Sequence, residues 1–225
     1  MILTIDGLIS PERAEAMREA LANAAWHDGR ETAGYQSALA KDNLQLRDGD
    51  PLAVALGAEV LAALDASLLF QSAALPAALF PPLFSRYRTD QSFGTHVDNA
   101  YRPLAAGGRI RTDLSATLFL SDPRTYDGGE LLIEDGAGER AVKLPAGSLV
   151  LYPATTLHRV APVTRGERLA AVFWVQSLVP DAGRRSILFD IDLSIQSLRT
   201  RLGEDDPALV ALTGAYHNLL RQWGR

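Results

Sequence analysis

The stretch "SFGTHVDNA" places His96 and Asp98 two residues apart, just after a β-like run. On a strand, residues i and i+2 point to the same face, so this imidazole and this carboxylate can reach one metal ion together. The pair alone is a weak signal, because an ordinary polar strand end has the same residues. A second imidazole, His158, comes far along the chain in "TTLHRVAPV", on another β-like segment. By itself it reads as a satisfied core histidine. Two imidazoles and one carboxylate with open coordination positions form a donor set that suits Fe(II). Arg168 stands ten residues after His158, at the start of the last β-like run. Its planar guanidinium suits bidentate capture of a carboxylate. Arg159 and Arg165, close by in sequence, read as solvated strand-end arginines.

These residues need elements to hold them. Eight short segments between about residues 83 and 178 carry strand patterning: "LFSRYRT", "SFGTHVD", "TDLSATLFLS", "ELLIED", "RAVKL", "SLVLYP", "LHRVAPV" and "RLAAVFWVQS". Turn signals such as Asp127-Gly128-Gly129, Asp135-Gly136 and Pro145-Ala146-Gly147 separate them. That rhythm predicts a sandwich or barrel, and a jelly roll most naturally. The "DGG" glycines read as a hairpin turn rather than a moving loop. Residues 2–6 predict a strand, and Ser10-Pro11 and Asp50-Pro51 each open a helix. After Pro180 the pattern turns helical. Residues 181–225 are expected to pack through Ile187, Leu188, Ile191, Ile195, Leu198, Leu219 and Trp223. The expected fold class is α+β, a double-stranded β-helix (jelly-roll) core with N-terminal helices packed on it and a C-terminal helical extension. The divisions fall at residues 1–77, 78–178 and 179–225.

Turn geometry gives one sharper expectation. If His158 and Arg168 flank a hairpin, a three-residue loop Thr164-Arg165-Gly166 pairs Val163 with Glu167 and His158 with Val172. Both functional side chains then share a face. Such a loop wants Gly166 at positive φ.

Composition bounds the function. The 225 residues are 47% apolar and carry a net charge of −5, from 22 basic and 27 acidic side chains. No basic footprint for nucleic acid or anionic membrane is present. There is no cysteine, which excludes disulfides, thiolate nucleophiles and zinc-thiolate sites. The start "MILTIDGLIS" does not resemble a signal peptide, and the apolar runs are too short to span a bilayer. A cytoplasmic protein is expected. His27 and His217 are expected to lie outside the site.

His96-x-Asp98, His158 and Arg168 resemble the pattern of Fe(II)- and 2-oxoglutarate-dependent dioxygenases of the prolyl-4-hydroxylase type. "SFGTHVDNA", "DLSATLFLSDPRTYDGGELLIED", "VKLPAGSLVLYPATTLHRVAPVTRGER" and "FWVQS" resemble the bacterial PKHD-type hydroxylases more closely, as do the late "ILFDIDLSIQSLR" and "YHNLLRQW". The resemblance implies that His96, Asp98 and His158 ligate iron and that Arg168 binds the distal carboxylate of 2-oxoglutarate. It implies a further 2-oxoglutarate contact from Tyr87 and L-ascorbate as reductant. The reaction implied is hydroxylation of an unidentified small molecule or protein side chain with O2, releasing succinate and CO2. The resemblance also implies a link to iron homeostasis. The C-terminal helices, too short to stand as a domain, are expected to pack on the β core and to meet a second subunit of a homo-oligomer. Two departures stand out: Asp90 where relatives commonly have glycine, and Leu118 or Phe119 where some prolyl hydroxylases have a second tyrosine. Asn99 reads equally as a partner orienting Asp98 or as a turn residue. Two rival readings stay open at this point, a jelly-roll binding module without 2-oxoglutarate chemistry and a cupin-type metalloenzyme.

Overall fold

The structure is a computed structural model that describes residues 1–105, 107–136 and 138–225. The chain opens with β1 (Leu3–Ile5) and α1 (Pro11–Ala22), the latter capped by the Ser10 hydroxyl accepting from the Arg13 N–H at 3.2 Å. β2 (His27–Asp28), a 3-10 turn at Gly29–Thr32, α2 (Tyr35–Ala38), β3 (Lys41–Asp42) and β4 (Leu44–Gln45) follow. Asp50 then caps α3 (Pro51–Ala66) by accepting from two backbone N–H groups, and α4 (Leu68–Ala74) packs after it. The β region runs through β5 (Pro76–Leu79), β6 (Leu83–Arg88), β7 (Ser92–His96), β8 (Tyr101–Pro103), β9 (Arg109–Arg111) and β10 (Leu114–Phe119). It continues through β11 (Asp127–Gly128), β12 (Leu131–Asp135), β13 (Gly138–Val142), β14 (Leu149–Pro153), β15 (His158–Val160), β16 (Val163–Arg165) and β17 (Glu167–Ser177). α5 (Ala182–Leu202) and α6 (Pro207–Trp223) close the chain.

The major sheet has the order β1-β14-β10-β17-β6-β4-β2, with β5 also paired to β17. The minor sheet has the order β13-β12-β15-β7-β3. Strands distant in sequence are neighbours in both, as a jelly roll requires. N-terminal strands join each sheet: Lys41 of β3 pairs with Phe93, and Gln45 of β4 with Ser85.

Alternation along β17 divides the molecule. Leu169, Ala171, Phe173 and Val175 face one way and join Met17, Leu21, Val60, Leu64 and Phe70 of the helices in the largest core cluster. Full burial of a side chain of this size contributes roughly 1.5–3 kcal/mol. Arg168 takes the opposite face, at the register of Tyr87. There Tyr87, Phe119, Val150 and Tyr152 of the major sheet meet Leu131, Ile133, Val142 and Val160 of the minor sheet. The major sheet is thus buried on both faces, apolar toward the helices and partly polar toward the other sheet.

The eight expected strand segments are all present. The C-terminal helices also form, with Leu188 and Ile195 buried and Leu219 and Trp223 packed against Leu188 and Val179. Ile187 departs from expectation: it is 48% exposed, and Phe189 supplies the buried contact to the main core instead. Among the described residues no single helix is long and apolar enough to cross a membrane.

The hairpin expectation is overturned. Val163 of β16 pairs with Gly128, not Glu167, in a separate two-stranded sheet, and β17 lies in the major sheet. His158 pairs with Ile133 and His96, and Arg168 with Tyr87. The turn is a corner where the chain passes from that two-stranded sheet to the major sheet, so no register links its two sides. Gly166 does adopt positive φ, +73°. A Cβ there would run into the Thr125 carbonyl oxygen. Gly166→Ala is therefore expected to destabilise the fold by about 2 kcal/mol or more, from left-handed strain plus the clash. A denaturant midpoint equal to wild type would contradict this. Asp90 also takes positive φ, +70°, which explains why a glycine suits that position.

Candidate metal centre

His96 ends β7 and His158 begins β15, directly opposite each other in the minor sheet. Their ring centroids are 4.3 Å apart. Asp98 lies two residues beyond the strand end, and its Oδ2 is 3.7 Å from His158 Nε2. One ligand atom from each of the three lies within 4.8 Å of the others, close enough for a single ion to reach all of them.

Neighbours fix the orientation of each donor. His96 Nδ1 is 2.9 Å from the Gly94 carbonyl oxygen, and His158 Nδ1 is 2.9 Å from that of Thr156. A carbonyl only accepts, so each Nδ1 carries a proton and each Nε2 is the nitrogen left for a metal. Phe93 stacks on the His96 ring at 3.7 Å, and Tyr152 meets His158 edge-on at 5.1 Å. Burial, with the neighbouring His158, pulls the His96 pKa down to about 4, so the ring is neutral at physiological pH. Neutral imidazole is the form that binds metal. The Ser115 hydroxyl donates to Asp98 Oδ2 at 2.5 Å and holds that carboxylate in place. Asn99 is exposed and does not take this role. Ser115→Ala is expected to lower metal affinity by about 10–100-fold, the usual cost of losing a partner behind a ligand. Chelator competition measures it, and an unchanged affinity would show that Asp98 is positioned by the backbone alone.

A cavity of about 760 Å³, counting its open mouth, joins this cluster to Arg168, Tyr87, Tyr152, Lys41 and Arg102. Arg168 is 1% exposed. Its guanidinium carbon lies 5.4 Å from the Tyr87 ring centre and 5.1 Å from that of Phe119. Its Nε is buried without an acceptor, and among the described residues no carboxylate lies within salt-bridge distance of it. A buried, unpaired cation is costly unless a ligand completes it. Burial pushes the Tyr87 hydroxyl up to about 12, so it stays protonated and able to donate.

The sequence-predicted residues His96, Asp98, His158, Arg168 and Tyr87 are therefore brought together around one cavity. Arg159 and Arg165 are surface residues paired with Glu139 and Asp127. His27 and His217 do not line the cavity. Sequence reasoning missed Ser115, Tyr152, Lys41, Asn43 and Arg102. For Ser115 a signal existed: in "LSATLF" polar and apolar residues alternate, so Ser115 and Thr117 share the inner face.

Residues 82–176 match the 2OG-Fe(II) oxygenase superfamily, and residues 182–224 match the PKHD-type hydroxylase C-terminal domain. Solved structures of similar fold include a Pseudomonas putida prolyl-4-hydroxylase, at TM-score 0.53 and 20% identity, covering 78% of this chain and 92% of that one. HygX from Streptomyces hygroscopicus, with nickel, 2-oxoglutarate and hygromycin B bound, gives 0.55 at 16% identity, covering 78% and 82%. Together the jelly roll and the superfamily match define an Fe(II)- and 2-oxoglutarate-dependent oxygenase. A PKHD-type hydroxylase of Saccharophagus degradans is 54% identical over 100% of both chains, and one of Burkholderia ambifaria is 54% identical over 99% of each. The chain belongs to the PKHD-type hydroxylase family. It is an oxidoreductase whose family uses iron, 2-oxoglutarate and O2.

Proposed function

We propose that His96, Asp98 and His158 hold the ferrous ion of this hydroxylase and that Arg168, with Tyr87, holds the distal carboxylate of 2-oxoglutarate. The donor set fits the metal: two imidazoles with free Nε2 atoms and one oriented carboxylate. Bound there, Fe(II) supplies the oxidising chemistry in which 2-oxoglutarate, O2 and a substrate C–H become succinate, CO2 and a C–OH. The chain's own part is positioning and exclusion of water. The Nδ1–carbonyl bonds aim both Nε2 atoms at one point, and Ser115 aims Asp98. Phe93 and Tyr152 pack against the imidazoles and keep solvent off them. Arg168 fixes one end of the diacid, so that its 2-oxo acid end is presented to the metal.

The observation that carries this reading is the buried Arg168, without a carboxylate partner among the described residues and with its Nε unanswered, in the same cavity as the triad. A calcium- or sugar-binding module is disfavoured, because calcium wants six to eight oxygen ligands and this site offers two imidazoles. A cupin-type site favours a His-x-His pair, and here the second position of the pair is Asp98. L-Ascorbate is the expected reductant that returns stray ferric iron to the ferrous state, and the cytoplasm is the expected compartment. A second copy would dock on the exposed apolar side chains of α5 and α6, among them Ile187, Leu193 and Val210. A monomer by light scattering at micromolar concentration would remove that expectation. Succinate formed from 2-oxoglutarate with Fe(II) and O2, and lost on chelation, is the test of the function; no metal-dependent succinate would sink it.

A further inference from the structure

We propose that the mouth of the cavity holds a second anion subsite, formed by Lys41 and Arg102, which binds an oxyanionic group of the substrate to be hydroxylated. The inference rests on the reading that the triad and Arg168 take iron and 2-oxoglutarate. It assigns the substrate a class: a molecule with a free carboxylate or phosphate near the reacting carbon, rather than an uncharged residue inside a peptide.

Lys41 is 6% exposed. It sits opposite Phe93, the ring that stacks on His96, with its Nζ 5.4 Å from the Phe93 centre. Nζ donates to Thr32 Oγ1 at 3.1 Å and to Gln45 Oε1 at 2.8 Å. An ammonium has three N–H groups, so one remains over. Arg102 lies with its guanidinium carbon 3.9 Å from the Trp174 ring centre and 4.8 Å from that of Phe80. Its Nη2 donates to the Thr32 carbonyl at 3.3 Å, while Nε is buried without an acceptor. Thr32 thus ties both cations to one place. Trp174 Nε1, beside them, is also buried without an acceptor.

The unanswered groups of these three residues are all donors. Buried polar groups in native proteins are nearly always satisfied, so these donors call for a ligand acceptor, and the charge of the site decides that it is an oxyanion. Asn43 in the same cavity also lacks partners, but it offers both a donor and an acceptor and does not discriminate.

Charge points the same way. The cavity is lined by three fixed cations, Lys41, Arg102 and Arg168, and one carboxylate, Asp98. A divalent metal, a dianionic cosubstrate, Asp98 and Arg168 cancel one another. Lys41 and Arg102 are then left over. The other acids that reach them electrostatically are exposed: Asp28, which is 3.7 Å from Arg30, and Asp48. Among the described residues neither cation lies within salt-bridge distance of a carboxylate. Burial lowers the pKa of both, that of Lys41 to about 8, as expected of cations lacking a counter-ion.

The two anion sites are distinct. Trp174 pairs with Ser115, the residue that holds Asp98, so Arg102 stacks beside the metal end of β17. Arg168 lies six residues away on the same strand, about 20 Å at strand rise. A five-carbon diacid gripped by Arg168 at one end spends its other end on the metal, so neither of its carboxylates is left over for Arg102.

The test uses the full chain loaded with Mn(II) and 2-oxoglutarate without O2. Tryptophan fluorescence, through Trp174, is titrated with N-acetylated amino acids, each as the free acid and as its carboxamide, and with inorganic phosphate. Expected is saturable binding of at least one free acid, at least tenfold tighter than its carboxamide. Phosphate outbinding every acid would support the subsite and assign it to a phosphorylated substrate. Lys41→Met and Arg102→Met should each weaken the oxyanion at least tenfold and leave 2-oxoglutarate affinity within twofold, with Lys41→Arg restoring most of the loss. Equal binding of acid and carboxamide, or no oxyanion binding, would overturn the proposal even if a variant fails to fold. Variants that weaken 2-oxoglutarate instead would move both cations to the cosubstrate. Failure of the wild-type protein to bind 2-oxoglutarate with Mn(II), read before any probe is added, would sink the underlying reading itself.

Discussion

Asp98→Ala is expected to reduce succinate formation to background and to weaken divalent metal binding by at least about 100-fold, with the fold retained. Loss of a residue behind a ligand already costs 10–100-fold, and Asp98 is itself the only anionic member of the cluster. Its removal leaves two imidazoles alone to hold a dication beside Lys41 and Arg102, both of which Asp98 stabilises electrostatically. The local field turns positive where a cation must sit. Fold retention follows from position: Asp98 lies past the end of β7, outside the ladder hydrogen bonds, and among the described residues its side chain is hydrogen-bonded to Ser115 alone. Chelator competition, succinate assay and thermal melting of the metal-free protein check the three parts. Turnover at the wild-type level would remove Asp98 from the metal site.

Much of this arrangement is legible from the chain, though not always for the reason the chain suggests. His96-x-Asp98 and His158 meet as their types imply, yet Asp98 is not on the strand that the i, i+2 argument places it on. The adjoining Val97 is 49% exposed, and the carboxylate turns in from the segment after the strand. Arg168 faces the cavity as expected. The path is different: turn chemistry at Gly166 cannot tell a hairpin from a corner between sheets, since both need a left-handed residue. Most of the eight central segments are visible because they form strands of five or more residues, long enough to alternate, and turn residues bound them. β2, β3 and β4 have two residues each and exist only through pairing with distant strands, Lys41 with Phe93 and Gln45 with Ser85. Lys41 and Arg102 reach the mouth through such pairings and through stacking on Trp174, so nothing local marks them.

Arg168→Gln is expected to raise the 2-oxoglutarate requirement by roughly 30-fold to several thousandfold while sparing metal binding. Truncating one partner of a buried, hydrogen-bonded charge pair costs about 2–5 kcal/mol, and about 1.4 kcal/mol is tenfold in affinity. The 1% exposed guanidinium is screened little by water, which places the effect within that range. The effect on stability runs the other way. In the ligand-free protein Arg168 is a desolvated cation with Nε unanswered, so the shorter, neutral glutamine should leave the melting temperature unchanged or raise it. Saturating 2-oxoglutarate, by contrast, should stabilise the wild type through binding to the folded state and barely move the variant at the same concentration. Arg168→Lys should fall between them, because an ammonium keeps the charge but loses the bidentate fork. These two opposite signs separate a carboxylate-binding role from a packing role. A structural arginine stacked between Tyr87 and Phe119 would lose stability on replacement and keep its cosubstrate affinity. A variant that melts lower yet binds 2-oxoglutarate normally would therefore assign the distal carboxylate to another cation of the cavity.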